Sequence, residues 1–285
     1  MTIHIITDGS SDLTPEIASQ FGINVVPLYV RFGQDIHTSD MDSAVFYERM
    51  RNEEELPKTS SPSPGDFYNM YKSLDADKDI LVLCLTSQLS STYNHAVMAK
   101  SMYEEDGHTN RVEVIDTKTA SMGLGLLAVR AALMAKAGKS LTDMNEAIKQ
   151  CVQQTRTYFT LDTLENAIRG GRLNRLKGTV ASMLNIKVLM RANEDGVIET
   201  MEKIRGTQRA LKRMIEKVGE AWHHADRNWI ALAHSNCEER AKEFLNTLLE
   251  KYPFENVLFV NMGPVIGTYA GEGGVLLAFE EPNSN

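Results

Sequence analysis

The sequence predicts an α/β protein of two domains, because strands alternate with helices along the chain and the pattern changes near its middle. The 285 residues are 42% hydrophobic and 24% charged, which is typical of a soluble globular protein and sufficient for two cores. The first half predicts a parallel sheet in a three-layer α/β/α domain. In the second half a hairpin interrupts the alternation and predicts an α/β domain with a mixed sheet. We place the domains at 1–155 and 156–285.

Apolar runs and capping residues predict the elements of the first domain in order. Thr14 followed by Pro15 is a helix start, and Ser63 followed by Pro64 is another. Strands are predicted at 3–7, 23–32, 80–85 and 112–116, and helices at 14–22, 43–51, 64–74, 90–105, 119–137 and 141–155.

The second domain is predicted from shorter apolar runs. The hairpin at 185–204 turns around the sequence NEDG. Further strands are predicted at 156–161, 229–234, 256–261 and 274–279, and helices at 164–171, 207–222 and 237–251.

Composition excludes several functional classes. The net charge of −8 disfavours general nucleic-acid binding. No apolar run reaches the roughly 18–20 residues that cross a bilayer, and the N-terminus lacks the basic region of a signal peptide. The three cysteines are far apart and have no metal-ligand spacing. We therefore expect a cytoplasmic protein with no metal site and no membrane span.

Three hydroxyl-rich turns follow predicted strands and precede helices, at 8–14 (DGSSDLT), 58–66 (KTSSPSPGD) and 85–92 (LTSQLSST). The carboxyl ends of parallel strands share one sheet edge, where ligands usually bind and where helix N-termini attract anions. One such turn is ordinary helix capping, but three favour an anion site, with capping as the alternative. Because no lysine or arginine accompanies the third turn before Lys100, a single carboxylate suits the site better than a triphosphate.

Standard catalytic motifs are absent from the sequence. It contains no phosphate-binding G-x-x-x-x-G-K-[ST] or G-x-G-x-x-G, no G-x-S-x-G and no H-E-x-x-H. The remaining enzymatic alternative is a small-molecule kinase or hydrolase that uses Asp8, Asp12 or Asp116 at the sheet edge.

Two glycine-containing segments stand out in the second half. The segment IRGGRLNRLKG (168–178) places several cations around a Gly-Gly break, which predicts either a solvated turn after a helix or a docking surface for an acidic partner. In the segment NMGPVIGTYAGEGG (261–274), the four glycines from 267 to 274, at 267, 271, 273 and 274, indicate close backbone approach or positive φ. Tyr269 lies among them and could contact a polar ligand or pack.

Five segments, in order, resemble the DegV family of fatty-acid-binding proteins. TDGSSDLT resembles its TDSSSDL-type turn, KTSSPSPGDF its TSQPSP-type segment, and LTSQLSSTYNHA its SSxLSGTYxxA segment. LENAIRGGRLNR resembles its LxxLxxGGRI-type segment, and GPVIGTYAGEGGVLLAF its closing GPVIGTHxGPGxxG stretch. The likeness covers nearly the whole chain.

The resemblance implies a long-chain fatty acid bound between the two domains, with no other cofactor. It implies that Thr59 and Ser90 hold the carboxylate. The other residues expected around the head group are Ser60, Ser91, Thr92, Tyr269 and Gly267. Candidate lining of the acyl tail is apolar and comes from the second half: Phe159, Leu161, Ile168, Met183 and Ile186.

The resemblance also implies a non-catalytic carrier that presents the fatty acid to a separate ATP-dependent kinase subunit. Arg172 matches the family's arginine, and together with Arg169 and Arg175 it would form the docking face. The sequence departs from the family at Tyr269, where the family has histidine, and at Ser91, where the family has glycine. Tyrosine donates a hydrogen bond but has no positive charge near neutral pH, which puts acyl phosphate formation in question.

Overall fold

The computed structural model describes residues 3–173 and 185–282. In this part of the chain the strands form three sheets, with orders β2-β1-β6-β7, β10-β9-β8-β13-β11-β12 and β4-β3-β5. The strands are β1 (Ile3–Asp8), β2 (Ile23–Val26), β3 (Tyr29–Phe32), β4 (Asp35–Thr38), β5 (Lys58–Ser60), β6 (Asp79–Cys84), β7 (Val112–Asp116), β8 (Thr155–Thr160), β9 (Ile186–Ala192), β10 (Ile198–Arg205), β11 (Trp229–His234), β12 (Asn256–Asn261) and β13 (Val275–Glu280). The helices are α1 (Pro15–Phe21), α2 (Ser43–Asn52), α3 (Pro64–Ser73), α4 (Thr92–Glu105), α5 (Met122–Lys136), α6 (Leu141–Gln154), α7 (Glu165–Arg169), α8 (Thr207–Ala221), α9 (Glu238–Lys251) and α10 (Pro264–Ala270).

The first large sheet is parallel throughout, as the sequence predicts. Its strands are apolar on both faces because helices cover both. Ile6 and Val82 face the α3 and α4 side, and Ile5 and Leu83 face the α5 and α6 side. The predicted three-layer α/β/α arrangement is confirmed.

The second large sheet is mixed, as predicted. β11 and β12 run parallel, and the remaining neighbours are antiparallel. Helices α8 and α9 cover one face, where Tyr158 and Phe279 belong to their core. Phe159 and Leu276 belong instead to the core on the opposite face, which the second sheet shares with α5 and the first sheet.

Helix α5 lies between the two large sheets and contacts both. Its sequence, MGLGLLAVRAALMAK, has no polar face, and 11 of its 15 residues are buried. A helix that is apolar all round requires burial on all sides. The two α/β units therefore share this helix as a common layer, and the domain boundary at residue 155 stays a prediction.

The segment INVVPLYVRF is two strands in different sheets, and its prediction as one strand at 23–32 is wrong. β2 ends at Val26 and pairs with β1. β3 begins at Tyr29 and pairs with β4 and β5. Pro27 lies at the break, and proline has no N–H for a sheet ladder. This third sheet, whose strands are only three or four residues long, was not predicted from the sequence.

The glycine-rich segment 261–274 contains α10, which the sequence analysis did not predict. Gly271 and Gly273 have positive φ values of 63° and 86°, as the pattern indicated. Gly267 lies inside the helix, where a Cβ atom would be 2.7 Å from the hydroxyl of Tyr47. A glycine here lets α10 pack closely on α2.

The tight contacts of α5 generate a stability prediction. A Cβ atom at Gly125 would lie 2.8 Å from the backbone oxygen of Ser11. We expect Gly125→Ala to lower the free energy of unfolding by about 1–3 kcal/mol, because the backbone of the loop after β1 must move. Urea unfolding would measure the change.

The matched control is Gly65→Ala in α3, where the nearest atom to the new Cβ would be Ser63 Oγ at 3.5 Å. Alanine should raise helix stability there by up to about 1 kcal/mol. Equal effects of the two substitutions would contradict the packing argument.

Candidate functional site

A small cavity of about 50 Å³ lies where the second and third hydroxyl-rich turns meet. Thr59 and Ser61 reach it from the second turn, and Ser90 reaches it from the third. Among the described residues, its lining combines hydroxyl, apolar and cationic side chains: Leu28, Thr59, Ser61, Leu85, Leu89, Ser90, Ala120, Arg172, Val265, Ile266 and Tyr269.

The first hydroxyl-rich turn does not line this cavity. Ser10 is buried, and its hydroxyl donates to Asp8 Oδ1 at 2.5 Å. Its backbone N–H donates to the same oxygen at 2.9 Å. The turn therefore stabilises the chain reversal after β1, and the expectation that all three turns share one site is wrong for this one.

The hydroxyls of the other two turns form two hydrogen-bonded pairs. Ser90 Oγ lies 2.8 Å from Thr92 Oγ1, and Ser61 Oγ lies 2.9 Å from Ser91 Oγ. Ser91 is the N-cap of α4, and its side chain makes no capping bond. Ser60 is exposed and does not line the cavity. Ser61, which the sequence analysis did not select, lies there instead.

Tyr269 lies on the opposite wall, on α10. Its hydroxyl is 2.5 Å from Thr59 Oγ1, so it joins the second half of the chain to the second hydroxyl turn. Gly267 is buried on the α2 side of the same helix and does not line the cavity. Because it has no side chain, it allows α10 to approach α2 closely.

Arg172 brings a cation to the cavity, contrary to the expectation of a site without one. Its guanidinium lies 4.6 Å from the ring centroid of Tyr269, and its Nη1 donates to the carbonyl of Gly170 at 2.8 Å. A Cβ atom at Gly170 would lie 2.5 Å from the Tyr269 ring, so this glycine is needed for the contact. The RGGR sequence at 169–172 indicates a cluster of positive charge. It does not indicate that Arg172 contacts Tyr269.

Arg169, another predicted docking arginine, does not line the small cavity. Arg169 is exposed and pairs with Glu165 at 3.4 Å. Arg175 lies outside the described residues. The proposed docking face stays a prediction.

An apolar cavity of about 110 Å³ adjoins the small cavity. The two share Leu89, Ala120, Arg172, Ile266 and Tyr269. Its surface is almost entirely apolar, and both halves of the chain contribute: Thr86, Leu89, Thr119, Ala120, Ser121, Thr157, Phe159, Leu161, Ala167, Arg172, Leu173, Ala192, Gly196, Ile198, Met262, Ile266, Tyr269, Ala270 and Leu276.

The predicted tail-lining residues fall into three groups. Phe159 and Leu161 line the apolar cavity, whereas Ile168 and Ile186 are not among its lining residues. Met183 lies outside the described residues. Phe159 faces the cavity because alternate residues of β8 point toward the α5 layer, and Leu161, directly after β8, lies in the same core.

The three aspartates of the enzymatic alternative line neither cavity. Asp8 is fully buried and also accepts a hydrogen bond from the N–H of Leu85 at 2.8 Å. Burial raises its pKa. Asp116 Oδ2 pairs with Lys118 Nζ at 2.8 Å.

Asp12 joins three parts of the chain. Its Oδ2 accepts from the hydroxyl of Ser121 at 2.5 Å, just before α5. Its Oδ1 accepts from the N–H of Gly263 at 2.9 Å, at the start of α10. The pKa of Asp12 is raised to about 7, chiefly by burial; the two hydrogen bonds lower it and the neighbouring Asp8 raises it. This carboxyl group thus holds the helix that bears Tyr269.

Neither a metal cluster nor a membrane span is found in the described ranges. Within residues 3–173 and 185–282, no group of three or more His, Cys, Asp and Glu side chains could hold a metal ion. In the same ranges no helix is sufficiently long and apolar to cross a bilayer.

Comparison with known proteins identifies the family. The model of the DegV family, described as uncharacterised proteins, matches residues 2–281. The chain belongs to the DegV family. A DegV domain-containing protein of Clostridium acetobutylicum is 31% identical over 281 residues, which cover 98% of each chain.

Two solved DegV-type structures are closely similar in fold. A DegV family protein from Ruminococcus gnavus, refined with vaccenic acid, superposes with a TM-score of 0.90 at 31% identity and covers 98% of this chain and 99% of its own. The fatty acid kinase B3 protein of Streptococcus pneumoniae, loaded with linoleic acid, has a TM-score of 0.87 at 26% identity and covers 99% of this chain and 100% of its own. The suspected family and the two-domain α/β fold are therefore confirmed.

The raised pKa of Asp12 generates a pH prediction. Its pKa is about 7 in the folded chain, against an ordinary value of 3.8. At pH values between these two pKa values, folding therefore takes up a proton. The stabilisation from the protonated group is complete below the ordinary pKa and is lost as the pH rises through about 7. Asp12→Asn keeps groups that can bond Ser121 and Gly263 but cannot ionise.

We expect the stability of the wild type, relative to Asp12→Asn, to fall as the pH rises from about 5 to about 7. Urea unfolding at several pH values would measure the difference. Parallel stability curves for the two proteins would contradict the assignment.

Proposed function

We propose that the chain binds one long-chain fatty acid, with its carboxylate in the small cavity and its acyl tail in the apolar cavity, and presents it to a separate ATP-dependent kinase subunit. The observation that supports this most directly is that the two cavities adjoin and share five lining residues. Hydroxyls and a guanidinium lie at one end, and almost exclusively apolar surface lies at the other. A ligand that fits both must have a small polar head and an apolar tail.

The small cavity offers donors suited to one carboxylate. Thr59, Ser90 and Tyr269 are neutral hydroxyl donors, and Arg172 is a cationic donor with fork geometry. The N-terminus of α4 follows directly after Ser90 and contributes a partial positive charge. Each charge-assisted hydrogen bond to the carboxylate would contribute about 1.5–3 kcal/mol.

The apolar cavity would supply most of the affinity. Burying an acyl chain gains about 0.8 kcal/mol per CH₂, so several methylenes outweigh one head-group bond. The bound fatty acids of the Ruminococcus gnavus and Streptococcus pneumoniae proteins support this ligand class. We propose no cofactor besides this ligand.

The kinase step would be carried out by the partner and not by this chain. Asp8 and Asp12 line neither cavity and accept hydrogen bonds from backbone and hydroxyl groups, which disfavours the kinase or hydrolase alternative. The fatty acid kinase B3 protein supports a carrier role. Arg172, beside Tyr269, would supply the positive charge that the family's histidine position lacks here. We expect this function in the cytoplasm, where a kinase finds ATP and where the free thiols of the chain would remain reduced.

The head-group assignment is tested by the double substitution Thr59→Ala with Ser90→Ala. We expect affinity for a fluorescent fatty acid to fall at least about tenfold, because two hydrogen bonds to a buried carboxylate are lost. Native and denaturing mass spectra of the purified chains would also compare the amount of co-purified fatty acid. Ser60→Ala is the control, since Ser60 is exposed and outside the cavity lining. Unchanged affinity of the double variant would refute the assignment.

The role of Arg172 is tested by Arg172→Gln, with Arg169→Gln as the exposed control. If Arg172 binds the carboxylate, affinity should fall roughly tenfold or more while Arg169→Gln binds normally. Titration with fatty acid and phosphorylation by the added kinase subunit would be measured on the same samples. Normal affinity combined with lost phosphorylation would show a docking role instead.

A further inference from the structure

A third cavity, of about 600 Å³, lies behind the apolar cavity. Its lining is mostly polar and comes from β8, β9, β10, α6 and α8 and the loop before α5. The polar cavity and the apolar cavity share Thr119, Thr157 and Ala192. A single layer of small side chains therefore separates the two spaces.

The two threonines form a closed pair across this layer. Thr119 Oγ1 lies 2.9 Å from Thr157 Oγ1, and both residues are 4% exposed. Thr119 precedes α5 and Thr157 belongs to β8, so the pair joins the two halves of the chain. A Cβ atom at Gly123 would lie 2.3 Å from Thr119 Oγ1 and 2.6 Å from Thr157 Oγ1. Gly123 leaves the space that the pair needs.

The polar cavity is unsuited to an acyl chain. Arg156 pairs there with Glu281 at 2.7 Å, and Arg191 pairs with Glu199 at 2.6 Å. A methyl group that entered this space would displace water from charged groups without gaining apolar contacts. The favourable burial of methylenes therefore ends at the shared layer.

We propose that Thr119, Thr157 and Ala192 form the end wall of the acyl site and set the upper limit of the chain length that the protein binds. This inference rests on the proposed function, because it assumes that the carboxylate occupies the small cavity. None of these three residues lines the small cavity, so the wall does not border the head-group site.

The test is a binding series of saturated fatty acids from lauric to arachidic acid. Each member adds two methylenes, and each methylene on the apolar side should raise affinity about fourfold, which corresponds to about 0.8 kcal/mol. For each protein variant, the chain-length limit is the fatty acid of the series beyond which affinity no longer rises. Wild type, Thr157→Ala, Ala192→Leu and Thr157→Val would be compared by displacement titration, with thermal unfolding as a check of folding.

Thr157→Ala removes two side-chain atoms from the wall and should move the limit to the next longer acid, which it should bind roughly tenfold better than wild type does. Ala192→Leu adds bulk and should move the limit to the next shorter acid. Thr157→Val keeps the volume and is the control, so its limit should equal that of wild type. Because the two changes act in opposite directions, a general loss of stability cannot produce both shifts.

An unchanged limit in both Thr157→Ala and Ala192→Leu, with fatty acids still bound, overturns the wall and leaves the proposed function intact. A shift of both in the same direction also overturns it. If wild type binds no member of the series, the proposed function fails and the wall fails with it.

Discussion

Burial of α5 between the two large sheets is the constraint on which the rest of the structure depends. This helix has no polar face, so it is stable only where apolar surface covers it on all sides. The parallel sheet covers one side and the mixed sheet covers the other. Arg130 is the one charged residue in the central turns of α5. It forms an ion pair at 3.0 Å with the buried Glu280 of β13. The small cavity and the apolar cavity lie beside the N-terminus of this helix, where Ala120 lines both.

The two halves of the chain contribute different kinds of side chain to the site. The first half supplies hydroxyls on short turns, which offer hydrogen bonds without charge. The second half supplies Arg172, Tyr269 and most of the apolar lining. Asp12 connects them, since it bonds both Ser121 and Gly263. Movement of one half against the other would therefore change the head-group site and the acyl site together.

Much of the fold could be predicted from the sequence because its signals are local. Apolar strands, caps such as Thr14 and Ser63 and the hairpin turn at residues 193–197 depend on neighbours in the chain. The third sheet was missed because strands of three or four residues have no distinct period. Helix α10 was missed because its glycines obscured the start signal of Pro264 at its first position. Among the hydroxyl turns, sequence position could not distinguish the buried Ser10 from Ser61, which lines the small cavity.

The sequence by itself determined the α/β class, the parallel and mixed sheets and the family, because these follow from periodicity, capping and motifs that are each contained in a short segment. Only the tertiary structure decided that Arg172 lies against Tyr269, that α5 is common to both sheets and that Thr119 meets Thr157. These contacts join residues far apart in the chain. They form only where the backbone approaches these side chains closely. Gly123 and Gly170 permit that approach, but the surrounding packing decides whether it occurs.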